Sequence, residues 1–134
     1  MAGKKTQGKK SPVKKETKKL ITGDWLYFCP IETNVRALFE VVKDAYEAEI
    51  WEEAGVLEVI LGEKSSLDVE QAQIHPKDEI TQQFAKEQGA KCVFLATFAP
   101  EDYDAAERIM KMLLAEFGGI FCGDTEDFMP QVQR

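Results

Sequence analysis

Three cysteines, one histidine and a large excess of carboxylates are the side chains in this 134-residue sequence with the chemistry to act on a substrate. Cys29 precedes Pro30, and a helix is expected a few residues further on. A thiol near a helix N-terminus has a lowered pKa and becomes a better nucleophile, so Cys29 is the residue on which a thiol-dependent enzyme would be built. The competing expectation is a strand-end cysteine packed into the core as a small hydrophobe. Cys29, Cys92 and Cys122 all lie in apolar, strand-like segments (LYFCP, KCVFL and IFCG). No second cysteine is expected beside Cys29 to resolve a disulfide. The sequence therefore favours three buried, reduced thiols.

His75 is the one side chain whose ordinary pKa lies near neutrality. It precedes Pro76 at an expected strand end, which makes it a surface residue; a dyad with Cys29 would need a contact that spacing does not supply. A zinc site needs three or four convergent Cys or His ligands, and the chain has no CxxC pair, so no metal is expected. Glu52-Glu53 and the Asp124, Glu126, Asp127 cluster offer hard oxygen ligands, but without the spacing and central glycine of a calcium loop. Gly118, Gly119 and Gly123 follow a helix and precede a strand, the reverse of the order that seats phosphate on a helix N-terminus. No cofactor is expected.

What remains is recognition. Trp51, flanked by Ile50, Glu52 and Glu53, is the best candidate for an exposed aromatic anchor inside an acidic rim, a common composition for a binding hot spot, although core packing is the commoner role for such a residue. Trp51, Glu52, Glu53, Asp124, Glu126 and Asp127 are the candidate partner-binding residues.

The charge distribution points the same way. Residues 1–19 carry Lys4, Lys5, Lys9, Lys10, Lys14, Lys15, Lys18 and Lys19 against the single acid Glu16, a net +7. The remaining 115 residues carry nine basic and 23 acidic side chains, a net −14. With Val13 as its one residue of the core-forming type, the tail cannot offset its ordering entropy and is expected to be disordered. Its lysines suit a polyanion, nucleic acid included, but it has no arginine or aromatic residue for base recognition. The −14 part repels phosphate and suits a basic protein. No apolar run reaches about 18 residues, and the N-terminus lacks the apolar stretch of a secretory signal. A cytoplasmic location without membrane contact is expected.

The elements that must position these residues follow from periodicity. Trp25–Cys29 reads as a central strand, apolar on both faces. Val35, Leu38, Phe39, Val42 and Tyr46 predict an amphipathic helix over 34–48, and residues 49–54 are ambiguous. Strands at 56–61 and 67–74 form a hairpin about a turn at 62–66, with Leu67 and Val69 facing in and Asp68 and Glu70 facing out. Asp78 caps a short helix that stops at Gly89. A strand at 92–98, a long helix from Pro100 to Gly118 and a short strand at 120–122 complete the order, followed by a polar tail.

The resulting β-α-β-β-α-β-α-β order predicts an α+β domain over 20–134. It is a ferredoxin-like split β-α-β sandwich with a mostly antiparallel sheet, helices on one face and an extra terminal strand. The leading functional expectation is a non-enzymatic module that binds a basic protein surface, in the manner of small inhibitor or immunity proteins. The alternatives are an accessory nucleic-acid-associated protein acting through its lysine arm, and a thiol enzyme centred on Cys29. Nothing in the sequence sets an oligomeric state.

Overall fold

The structure is a computed structural model that describes residues 22–134; the lysine-rich tail and the disorder expected of it lie outside the described residues. Strand β1 (Asp24–Cys29) is the centre of the fold. Its alternation sends Trp25, Tyr27 and Cys29 to one face and Leu26 and Phe28 to the other, and Trp25, Tyr27, Phe28 and Cys29 are fully buried. A strand apolar on both faces needs cover on both, and that requirement shapes the rest of the molecule.

Helix α1 (Val35–Val42) starts at Asn34, whose side-chain oxygen accepts from the Ala37 N–H at 3.0 Å. It stops well short of the expected residue 48. A turn carries the chain through 43–46, with the Tyr46 N–H donating to the Val42 carbonyl at 2.9 Å. The ambiguous segment then forms β2 (Ala48–Trp51), paired antiparallel with β3 (Val56–Gly62). The hairpin of β3 and β4 (Ser65–Ala72) forms as expected, with Leu67 and Val69 buried and Asp68 and Glu70 exposed.

Helix α2 (Glu79–Glu87) is capped by Asp78, which accepts from the Thr81 N–H at 3.0 Å, and gives way at Gly89 in the left-handed region at φ 67. Strand β5 (Cys92–Thr97) leads through one 3₁₀ turn (Pro100–Asp102) into α3 (Tyr103–Phe117). Helix α3 buries Ala106, Ile109, Met110, Leu113 and Leu114 along one stripe. Strand β6 (Ile120–Gly123) follows, and the expected polar tail instead returns as β7 (Gln131–Gln133), burying Phe128 and Val132 on the way.

The seven strands form one antiparallel sheet in the order β2-β3-β4-β5-β1-β6-β7. The α+β class holds, but this order differs from the ferredoxin-like expectation. That fold interleaves two split β-α-β units. One such unit exists here: β5 and β6 lie on either side of β1, both antiparallel to it and joined by α3. After α1 the chain goes instead to β2 at the far edge, with β3, β4 and β5 between it and β1. Nor do the helices share a face. Helices α1 and α3 enclose the main core with Trp25, Tyr27, Leu57, Leu67, Phe94 and Phe121. Helix α2 lies opposite, where Phe84 and Ala85 cover Phe28, Ile120 and Cys122 together with Phe128.

Candidate functional site

Strand alternation and register decide what the α2 side of the sheet presents. Leu57, Val59, Leu67, Val69, Phe94 and Ala96 point into the main core, so their neighbours along each strand point the other way. Pairing aligns those neighbours into rows. One row runs Trp51, Val56, Glu70, Leu95 and Leu26 across β2, β3, β4, β5 and β1, and continues to Cys122 on β6. The next runs Glu49, Glu58, Asp68, Thr97 and Asp24 across the same five strands, and Asp124 extends it through its N–H to the Asp24 carbonyl at 2.9 Å.

Helix α2 covers the β1–β6 end of this face. At the β2–β5 end Val56, Ile60 and Leu95 are half-exposed and belong to neither packed cluster, and Trp51 is 48 % exposed. Like charges directly opposed across an antiparallel pair are destabilising, yet Glu49 faces Glu58 and Glu58 faces Asp68. Among the described residues no lysine or arginine comes within ion-pair distance of Glu49, Glu58, Asp68 or Glu70. This part of the sheet is a half-apolar, strongly anionic face.

The six candidate residues named from sequence do not form one patch. Trp51 ends β2 and contributes to the face just described. Glu52, in the turn after it, accepts from Arg36 at 2.9 Å, and this contact holds its carboxyl below the usual carboxylate range. Glu53 is exposed in the same turn. Asp124, Glu126 and Asp127 follow β6, with β3, β4, β5 and β1 lying between β2 and β6, so about 24 Å of sheet separates the groups at ~4.8 Å per strand. Asp127 is engaged locally, accepting from Thr125 Oγ1 and the Met129 N–H at 3.1 Å each. Asp124 sits close to Asp24 and Asp78; burial first, then those two charges, push its carboxyl above the usual range. Sequence reasoning missed Glu49, Glu58 and Asp68 as a group: Asp68 alone was read as outward-facing, Glu49 lay in an ambiguous segment, and register is what aligns the three.

The Cys29 thiol is buried and donates to the Ile31 carbonyl at 3.2 Å, and α1 begins only at Val35, so the thiol does not sit at that helix N-terminus. The expectation that Cys29 stands apart from other cysteines is overturned: Cys92 is its direct partner across the β1–β5 ladder. His75 is exposed, its Nδ1 accepting from the Lys77 N–H at 3.0 Å. An open groove of about 590 Å³ lies between α2 and the ends of β4 and β5, with Lys86 and Lys91 as its charged lining and no carboxylate for acid–base work. Among the described residues no cluster of three or more His, Cys, Asp or Glu is placed to hold a metal ion, and no helix is long and apolar enough to cross a membrane.

Comparison with protein-family models, with curated proteins and with solved structures finds no significant match.

Proposed function

We propose that this protein is a non-enzymatic binding module whose β2–β5 sheet face, left uncovered by the described residues, receives a basic protein segment. The observation that carries this reading is the pair of adjacent rows: Glu49, Glu58, Asp68 and Asp24 beside Trp51, Val56, Leu95 and Leu26. Lysine and arginine combine an apolar stem with a cationic head. Stems laid along Val56 and Leu95 bring their heads to Glu58, Asp68 and Glu70. The −14 of residues 20–134 steers a cationic partner toward the domain.

The test is titration of the protein with a lysine- and arginine-rich peptide, followed by Trp51 fluorescence and by amide shifts across β2–β5. Binding should weaken about tenfold or more in a Glu58→Lys, Asp68→Lys double variant, as expected for charges that face a cationic partner. It should also fall as salt rises from low to physiological strength. Unchanged affinity in the double variant, or shifts confined to α1 and α3, sinks the proposal.

A second reading rests on a separate observation, the eight lysines and single acid of residues 1–19. Nucleic-acid association through this arm predicts that its deletion abolishes binding to DNA or RNA at low salt. A full-length chain that never binds either one excludes it.

A further inference from the structure

Cys29 and Cys92 are Cα partners in the β1–β5 register. Directly opposed residues in an antiparallel pair have Cα atoms about 4.5–5.5 Å apart, inside the roughly 4.4–6.8 Å span that a disulfide bridges. Opposed side chains also point to the same face, and here both pack on the main core. The two thiols share one acceptor, the Ile31 carbonyl oxygen, with each sulfur 3.2 Å from it. The sulfurs are therefore separated by at most twice that distance, and rotation about their Cα–Cβ bonds brings them together. Cys29 is fully buried, whereas Cys92 is half-buried and open to a reagent. Cys122 belongs to the cluster under α2 on the opposite face and cannot reach either of them in the folded chain.

We propose that Cys29 and Cys92 are an oxidisable dithiol, a modification site at which a low-molecular-weight disulfide such as oxidised glutathione closes an intramolecular bond. Cys92 loses its proton to water, and its thiolate attacks one sulfur of the reagent. The reagent's S–S bond breaks, and the departing glutathione thiolate takes up a proton. Cys29 then gives up its own proton, attacks Cys92 Sγ and expels the second glutathione. Two protein thiols become one disulfide, and one oxidised glutathione becomes two thiols. The second step is favoured because Cys29 is already held against its target.

Closing the bond removes both S–H donors from the Ile31 carbonyl. Ile31 is 49 % exposed in the turn between β1 and α1, so the change is felt where the chain meets solvent. Both thiols pack on the main core, on the other side of the sheet from the anionic rows, and Cys92 also borders the open groove beside α2.

The experiment incubates the native full-length chain in mixtures of reduced and oxidised glutathione, traps free thiols with an alkylating agent in denaturant, and maps the cysteines by mass spectrometry. The expected product is a monomer that carries one alkyl group, on Cys122, and lacks two hydrogens at the linked Cys29 and Cys92. It should exceed the Cys92–glutathione mixed disulfide by about tenfold or more, given the advantage of a positioned second thiol. Cys122→Ser should leave this product unchanged, and Cys29→Ala should leave Cys92 as the mixed disulfide. Alkylation of both Cys29 and Cys92 in the most oxidising mixture, or links through Cys122 or between chains, would overturn the proposal; these readouts need no variant to fold.

Discussion

Gly119 turns the chain from α3 into β6 at φ 91, where an added Cβ would collide with the Phe28 carbonyl oxygen and come within 2.9 Å of Pro30 Cδ. Neither the backbone conformation nor the space admits a side chain. Gly119→Ala should cost about 1–3 kcal/mol, read as a lower urea midpoint with an unchanged slope. Asp124 makes the opposite prediction. Its carboxyl is raised by burial and by Asp24 and Asp78, so folding favours the protonated form. The associated stability is present below the ordinary aspartate range near about 4 and is lost as pH rises through the folded-state value. Asp124→Asn should therefore raise the urea midpoint at neutral pH and leave it unchanged near pH ~3, where both states bind the proton. The glycine pair was legible in sequence as a helix stop. Asp124 was named from sequence only within an acidic cluster, because nothing local says that Asp24 and Asp78 stand near it in the fold.

Helix α2 is held to the sheet by few apolar groups. Its apolar contact is Phe84 and Ala85 against Phe28, Ile120 and Phe128, with Phe84 stacked on Phe128 at 4.1 Å and 8° between planes. Phe128 itself stands at φ 58, a left-handed conformation that a bulky residue adopts only when its surroundings require it. Phe128→Ala should cost about 3 kcal/mol, as for other buried aromatic truncations. Amide exchange should accelerate in α2 and β7 before it does in β1, which hydrogen–deuterium exchange would show. Elements with a full repeat were readable: the 3.6-residue stripe of α3, the capping of α2, the alternation of β4. Strands β2 and β7 were not. At four and three residues, each sends little inward, Ala48 and Ile50 from one and Val132 from the other. No alternation can be recognised over so few positions, and a partner strand supplies the hydrogen bonds that make them strands.

Over the whole molecule, charge and register combine. Composition alone marked the domain as anionic and its first 19 residues as cationic. The candidate face was not legible, since its two rows are assembled from five strands whose order and alignment are properties of the folded sheet. Trp51 is the residue of that face singled out from sequence; Glu52 proved to be engaged with Arg36. Removing residues 1–19 shifts the net charge from −7 to −14. That deletion should raise the association rate with a basic peptide several-fold at low salt, and the gain should shrink toward physiological ionic strength. Stopped-flow mixing at two salt concentrations measures both.

The place of β1 in the sheet also sets a timetable. Its neighbours are β5 and β6, so a strand apolar on both faces is made early and acquires its first partner only once residues 92–97 exist. Its second arrives with residues 120–123. A nascent chain thus carries Trp-Leu-Tyr-Phe-Cys without a partner strand while some 68 further residues, 30–97, are added, with distant contacts that close slowly. Chains released before Ile120 should be found with chaperones or in aggregates, because a strand built to be enclosed on four sides has no resting state on its own.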